Sequence, residues 1–197
     1  MGVEVRRATA GEAGPVTAAY AAASADEAVN AWVLAGGGLP SALYERHLEE
    51  FTAAAIERGE VWAAFAGGEV WGVSVWLAVD SAERFEAEAE QLAAAAAEHG
   101  SPALARAALV ARMMADAHPR EFPHLYLHSI ATVPEHRGKG AGAALLADRA
   151  GAAEAPVYLE ASTERSARLY ERLGFAREGE PLALPEGGPV LVPMWRR

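Results

Sequence analysis

The stretch H136-R-G-K-G-A-G-A-A-L145 is the most informative part of this chain. It follows an apolar segment rich in strand formers, His124–Val133, and it leads into residues 138–151, which favour a helix. A helix N-terminus presents unpaired N–H groups and the positive end of a dipole, and glycines let the backbone approach an anion closely. Because Arg137 and Lys139 add positive charge, the stretch is suited to bind phosphate.

Two common phosphate-binding motifs do not describe this stretch. A P-loop has four residues between its glycines and then Gly-Lys-Ser/Thr, which Gly138-Lys139-Gly140 does not supply. The dinucleotide pattern G-x-G-x-x-A is met by Gly138, Gly140 and Ala143, and Glu160 ends a strand about 20 residues later. However, Pro134–Arg137 separates the strand from the first glycine, and too few residues follow Glu160 to complete a doubly wound sheet. An ordinary glycine-rich loop remains the alternative to a phosphate site.

Composition limits the class of protein. The 197 residues predict a single domain over residues 1–197. The formal net charge of −10 disfavours a nucleic-acid partner; it would attract a small cationic ligand, and the alternative is that it serves solubility alone. The sequence has no cysteine, which excludes disulfides and a cysteinyl acyl-enzyme. We find no signal peptide and no uncharged run of about 18 apolar residues, so we expect a cytoplasmic protein without a membrane partner.

Patterns on both sides of the glycine-rich stretch predict alternating strands and helices. Thr9-Ala-Gly-Glu12 fits a capping box at the start of the first helix, and Gly67-Gly68 predicts a hairpin turn. Residues 81–118 predict two consecutive helices separated by Gly100, an insertion that could cover a site. The other predicted strands are 3–7, 60–66, 69–79, 156–161, one that begins at Phe175, and 189–196. One further helical region begins near Ser24, and two more helices are predicted over 40–59 and 164–173. In the helix over 40–59, the residues Leu43, His47, Phe51 and Ala55 lie on one stripe.

Three segments together resemble the GNAT N-acetyltransferase superfamily. Arg137-Gly-Lys-Gly140-Ala-Gly142 matches its R/Q-x-x-G-x-G/A motif, L127-HSIATVPE-H136 resembles its central strand, and S166-ARLYERLG-F175 resembles its closing motif. The resemblance implies an α/β (α+β) GNAT fold, with a central mixed, mostly antiparallel sheet flanked by helices. It places the two-helix insertion between the third and fourth strands and an acetyl-CoA-binding core at about residues 125–180.

Within the superfamily, the chain is most similar to the puromycin N-acetyltransferase-like group of actinomycetes. The similarity rests on the length, the insertion, V157-YLEA-S162, Y170-ERLG-F175 and L184-PEGG-P189. Many GNAT proteins are dimers, so a homodimer is consistent with the resemblance.

The resemblance also assigns residues to acetyl-CoA, which would be a co-substrate; no metal is expected. Backbone groups of one strand would bind the pantetheine arm, because the family separates two strands there, and the glycine-rich loop would bind the pyrophosphate. The alternative for the strand is ordinary pairing with a neighbour. The residues concerned are Ile130, Ala131 and Thr132 for pantetheine and Arg137, Gly138, Lys139, Gly140, Ala141, Gly142 and Ala143 for the pyrophosphate.

Three residues are candidates for proton transfer. Tyr170 matches the tyrosine that protonates the departing thiolate in many family members, and a phenol near pKa 10 suits a thiol near 8.5. His128 matches the base histidine of serotonin N-acetyltransferase, and histidine titrates near neutrality. Glu160 is the rival base or a carboxylate that orients the amine. The structural alternatives are a packed aromatic ring for Tyr170 and a hydrogen-bonded strand histidine for His128.

These assignments predict an enzyme that moves an acetyl group from acetyl-CoA to the primary amine of a small molecule, such as an antibiotic or other secondary metabolite, by direct attack in a ternary complex. A protein N-terminal or lysine acetyltransferase is the first alternative. A non-catalytic acyl-CoA-binding sensor or immunity module is an alternative of another class. Candidate walls of the acceptor pocket are Trp32, Trp76, Tyr126 and Trp195.

Overall fold

The computed structural model describes residues 2–197 and contains an eight-stranded sheet with helices on both faces. The strands are β1 (Glu4–Arg7), β2 (Val61–Ala66), β3 (Glu69–Val79), β4 (His124–Thr132), β5 (Val157–Ala161), β6 (Ala176–Arg177), β7 (Leu182–Ala183) and β8 (Val190–Arg196). The helices are α1 (Ala13–Ser24), α2 (Ala28–Leu34), α3 (Ser41–Glu57), α4 (Glu83–His99), α5 (Pro102–Ala117), α6 (Ala141–Gly151) and α7 (Glu164–Arg172).

The sheet is mixed and mostly antiparallel, in the order β1-β2-β3-β4-β5-β8-β6, with β7 also paired to β8. Of its pairs, β4 and β5 run parallel, as the crossover through α6 requires. The helices α4 and α5 form an insertion between β3 and β4. The predicted fold class is therefore confirmed.

Turn glycines and helix-capping residues explain most of the boundaries of the strands and helices. Gly67 and Gly68 have φ of 61° and 85°, as a tight hairpin turn requires. Gly100 ends α4 in the left-handed conformation, Ser101 caps α5 through the Leu104 N–H, and Glu12 accepts from the Thr9 N–H before α1. These elements were predicted because glycines and caps act over a few residues.

Two predictions about elements were wrong or incomplete. In α3 the predicted stripe included His47, but that side chain is exposed, and the buried residues of the helix are Leu48, Thr52, Ala55 and Ile56. The packed face lies about one residue further round the helix than the one chosen from the sequence. The two-residue strand β7 was not predicted, since a two-residue segment has no measurable period.

Each face of the sheet has its own core. On one face, α1, α3, α4 and α5 pack over Tyr126 and Tyr158. On the other face, α6 and α7 pack over Leu127 and Leu159. No helix within residues 2–197 is long and apolar enough to cross a membrane.

Candidate active site

A gap in the sheet is the central feature of the candidate site. β4 and β5 pair only at Leu125 with Val157 and at Tyr126 with Tyr158, and beyond these pairs the two strands separate. The other edge of β4 stays paired with β3, and the register places His128 as an extra residue, a β-bulge, between Leu127 and Ser129. The separation therefore leaves the β5-facing edge of β4 without a strand partner.

The alternation of a strand shows which backbone groups face this gap. The Val133 N–H donates to the Trp71 carbonyl of β3, so Ala131 also turns its backbone groups towards β3. Ile130 and Thr132 turn theirs towards the gap, where the Thr132 carbonyl accepts from the Arg137 Nε at 3.1 Å. Of the predicted pantetheine residues, Ile130 and Thr132 thus have gap-facing groups, and Ala131 pairs with the neighbouring strand.

The glycine-rich loop lies at the end of this edge and leads into α6. Gly138 and Gly140 have φ of 78° and 93°, and a Cβ added at either would meet no other atom within 4 Å. The loop therefore offers open space in front of a helix N-terminus, whose first N–H groups have no acceptor within the helix. Ala141 is buried, while Gly142 and Ala143 are half-buried. This geometry fits a pyrophosphate.

The Arg137 side chain forms hydrogen bonds and an ion pair with other residues of the protein. Its guanidinium donates to both carboxylate oxygens of Asp26 at 2.6 Å and also to the Ala23 carbonyl, besides its bond to Thr132. This charged pair raises the pKa of Arg137 and lowers that of Asp26. Arg137 thus joins the segment between α1 and α2 to the glycine-rich loop, a contact that sequence analysis did not predict.

Tyr170 approaches the gap from the α7 face of the sheet. Its side chain is buried, and its hydroxyl has no hydrogen-bond partner within residues 2–197. Burial, and then the nearby Glu27 carboxylate, raise the pKa of Tyr170 above its usual value. The phenol therefore stays protonated at neutral pH and is free to donate.

Glu27 is a site residue that sequence analysis missed. Its carboxylate caps α2 by accepting from the Val29 and Asn30 N–H groups, and it also accepts from the Ser162 hydroxyl at 2.6 Å. The only local signal was an acidic residue just before a helix, which is common at any helix N-terminus. Its approach to Tyr170 joins segments more than 100 residues apart, which no local pattern reports.

Glu160 lies on the opposite face of the sheet from Tyr170. The carboxylate accepts from the Tyr126 hydroxyl at 2.8 Å, and Tyr158, two residues earlier on β5, lies on the same face of the sheet. Burial raises the pKa of Glu160 to about 7, although the two tyrosines act in the opposite direction. A carboxylate with this pKa can accept a proton near neutral pH.

His128 lies on the same face as Glu160, because Tyr126 contacts both residues. The imidazole centroid is 6.0 Å from that of Tyr126 and 5.8 Å from that of Phe51 on α3. Burial lowers the pKa of His128, and the Glu88 carboxylate of α4 offsets part of this lowering. Both candidate bases are therefore on the insertion side of the gap.

Several aromatic residues have other roles than those predicted. Trp76 and Trp195 are only 2% and 5% exposed and belong to the two cores, so they are not pocket walls. Trp32 packs under the Arg106 guanidinium, whose carbon is 4.5 Å from the ring centroid. The His136 ring stacks on Trp71 with the centroids 4.3 Å apart, and the Trp71 ring also lies 5.3 Å from the Lys139 ammonium.

Comparison with known proteins shows which proteins this chain is similar to. A family model described as an acetyltransferase (GNAT) domain matches residues 88–177. The solved structure described as histone acetyltransferase HPA2 and related acetyltransferase from Corynebacterium glutamicum is 26% identical, with a TM-score of 0.68 over 100% of this chain and 96% of that one. The polyamine N-acetyltransferase of Drosophila melanogaster, which forms N-acetylagmatine, is 21% identical, with a TM-score of 0.71 over 98% of both chains. The mosquito arylalkylamine N-acetyltransferase like 5b is 19% identical, with a TM-score of 0.73 over 99% of both chains.

The matched segment contains the parts that build the gap. Residues 88–177 include β4, the glycine-rich loop, β5 and α7. The solved structures match nearly the whole chain, with TM-scores between 0.68 and 0.73. The chain therefore has the GNAT fold, contains a GNAT acetyltransferase domain over this segment, and is an acetyl-CoA-dependent N-acetyltransferase.

Proposed function

We propose that this protein acetylates the primary amine of a small molecule by direct attack on acetyl-CoA in a ternary complex. The observation that carries the proposal is the gap between β4 and β5, flanked by a free Tyr170 hydroxyl on one face and by Glu160 and His128 on the other. An acid and a base on opposite sides of one opening suit the two proton transfers of acetyl transfer to an amine.

On the co-substrate side, the pantetheine arm would lie along β4 and hydrogen-bond the gap-facing backbone of Ile130 and Thr132. The pyrophosphate would lie on the N–H groups from Gly138 to Ala143, where both glycines leave room for it. Lys139, the only lysine of the chain, would add charge there, and Arg137 would hold the loop against Asp26. This arrangement would present the thioester near Tyr170.

On the chemical side, Glu160 or His128 would accept the proton of the attacking ammonium, directly or through water. The neutral amine would attack the thioester carbonyl, and the C–S bond would break as the tetrahedral adduct collapses. Tyr170 would give its proton to the departing thiolate, and the phenolate would regain a proton, directly or through water, as the nitrogen of the adduct loses its second proton to form the amide. Burial keeps this hydroxyl protonated in the free enzyme.

The shape of the insertion supports a small acceptor. Phe85 of α4 packs edge-on against Tyr126, with the centroids 5.6 Å apart, so the insertion covers the face that holds both candidate bases. A protein acceptor would require an open groove at this place. The solved relatives named above include enzymes for a polyamine and for arylalkylamines, which favours an amine of this size.

The finer assignments are part of the proposal. The similarity to the puromycin N-acetyltransferase-like group suggests an antibiotic or another secondary metabolite as acceptor. We also propose a single domain over residues 1–197, a cytoplasmic location and a homodimer, with no nucleic-acid or membrane partner.

The test is an amine screen with acetyl-CoA in which release of the free thiol is followed. We expect turnover with small primary amines, and we expect Tyr170→Phe to lower kcat by roughly 10²–10³-fold while the Kd of acetyl-CoA changes little. Turnover with protein N-termini or lysines but not with small amines would support a protein acetyltransferase instead.

A non-catalytic acyl-CoA-binding module gives a different result. It would show a thermal shift with acetyl-CoA but no thiol release with any amine, and Tyr170→Phe would leave the response unchanged. The absence of any thermal shift with acetyl-CoA would refute the co-substrate site itself.

A further inference from the structure

Two arginines contact one tryptophan ring on the face of the sheet that α6 covers. Arg7 of β1 lies directly opposite Trp62 of β2 in the antiparallel register, so both side chains project from the same face. The guanidinium carbon of Arg7 is 5.4 Å from the centroid of the Trp62 ring. Arg149 approaches from the last turn of α6, and its guanidinium carbon is 5.6 Å from the same centroid. Three elements therefore bring two positive charges to a single indole.

These two guanidiniums lack a negatively charged partner in the described part of the chain. The Arg149 Nε is buried and has no hydrogen-bond partner, and neither arginine forms an ion pair there. By contrast, Arg6, the neighbour of Arg7 on β1, donates to both carboxylate oxygens of Glu12 at 3.0 and 2.6 Å. Because uncompensated like charges at a partly buried position are unfavourable, an anion bound to both arginines would stabilise the folded protein.

The end of the helix explains one of these cations but not the other. A cation in the last turn of a helix complements the negative end of the helix dipole, which accounts for Arg149. Arg7 opposes that arrangement, because burial and then the charge of Arg7 lower the pKa of Arg149, and Asp148 offsets only part of the lowering. The second cation therefore has no structural reason at this helix end.

Both cations can be reached from solvent. Arg7 is exposed, and Trp62 and Arg149 are half-buried. Arg149 also lines a cavity of about 390 Å³ beside the end of α6. The exposed carboxylates of Asp80 and Glu154 line the same cavity, and neither forms an ion pair with Arg149. These carboxylates would repel an extended polyanion, so the surroundings favour a compact anion that lies against the two arginines.

We propose that Arg7 and Arg149 form a second anion site, which binds a single phosphate group, either as orthophosphate or in a small phosphate monoester. A guanidinium offers N–H donors in a planar fork that suits phosphate oxygens, and the contacts with Trp62 hold both forks in place. Arg149 lies eight residues beyond Ala141, about 12 Å along the axis of α6. The site is therefore distinct from the glycine-rich loop and does not depend on the proposed function.

The test is isothermal titration calorimetry with orthophosphate and with glycerol 3-phosphate, at an ionic strength kept constant with chloride, without and with coenzyme A. We expect binding that persists when coenzyme A is present. Arg7→Gln and Arg149→Gln should each raise the Kd roughly tenfold, as expected for loss of one charge-assisted contact. Arg149→Lys keeps the charge but loses the fork, so it should raise the Kd less than Arg149→Gln. The tighter of the two ligands identifies the source of the phosphate group.

The matched control is Arg172→Gln, the same charge change at an exposed arginine in the last turn of α7. It should leave the Kd as in the wild type. The melting temperature in chloride alone reports whether each variant folds, and Arg7→Gln, at an exposed position, keeps the test decisive if Arg149→Gln does not fold. Absence of binding in the wild type, or a Kd unchanged in Arg7→Gln, would overturn the proposal. Binding that coenzyme A abolishes would place the phosphate on the glycine-rich loop and overturn it equally.

Discussion

We expect a pair of buried histidines to make the stability of this protein sensitive to acid. His118 ends the insertion and His124 begins β4; they are 3% and 2% exposed, and their Nε2 atoms are 3.0 Å apart. One imidazole must be neutral to accept in this bond. Burial, and then the charge of the other imidazole, lower the pKa of His118 to about 3, and burial also lowers that of His124.

The size of the effect follows from the difference in proton binding between the two states. An unfolded histidine titrates near 6.5, so below that pH the unfolded chain binds a proton that the folded chain excludes. Stability is complete above pH 6.5 and falls as the pH drops towards 3. For His118 alone the slope approaches about 1.4 kcal/mol per pH unit, which amounts to about 2 kcal/mol between pH 7 and pH 5.

Urea denaturation followed by tryptophan fluorescence at pH 7, 6 and 5 measures this loss. His118→Asn keeps a polar side chain but cannot titrate, so we expect a lower stability at pH 7 and a flatter dependence on pH. His47→Asn is the control, since His47 is exposed, and it should behave as the wild type. Equal slopes for wild type and His118→Asn would refute the reasoning.

Three further predictions concern the site. If Glu160 is the base, kcat at saturating amine should fall as the pH drops through a pKa near 7, and Glu160→Gln should abolish this acidic limb of the pH profile. An acidic limb below pH 6.5 that disappears in His128→Gln would assign the base to His128 instead. Gly140→Ala should cost roughly 1–2 kcal/mol in urea denaturation because φ is 93°, whereas Gly151→Ala, in open space within α6, should not destabilise; equal stability of Gly140→Ala and wild type would contradict the strained turn. An amine-acetylating reagent should modify Lys139, the only lysine, and coenzyme A should slow this reaction; labelling at an unchanged rate would place the phosphates elsewhere.

Local signals explain what the sequence could predict. Glycines at positive φ, helix caps and the alternation in β2 and β3 each depend on a few neighbouring residues, so the element order and the insertion followed from them. The motif around Arg137 and Tyr170 added the sheet architecture through the resemblance. The buried face of α3 was misjudged because an amphipathic pattern with several alanines leaves the angle of the face poorly defined.

The charged contacts of the site could not be predicted, because they join distant parts of the chain. Arg137 and Asp26 are 111 residues apart, and Glu27 and Ser162 are 135 apart. Phe85 of α4 packs against Tyr126 of β4, and nothing in the glutamate-rich sequence of that helix reports which residue makes this contact. Such pairings depend on how the elements pack against one another, which local periodicity does not report.

The two ends of the insertion meet at neighbouring positions of the sheet. Val79, the last residue of β3, pairs with His124, the first residue of β4. The segment between them therefore leaves the sheet and rejoins it at adjacent positions. The exposed parts of the α4–α5 hairpin can therefore change without a shift in the register of β4, whereas Phe85, Ala115 and His118 are tied to the core beneath them. We expect a chimera that carries a relative's hairpin with these core positions kept to fold with the same β4 register and the same glycine-rich loop.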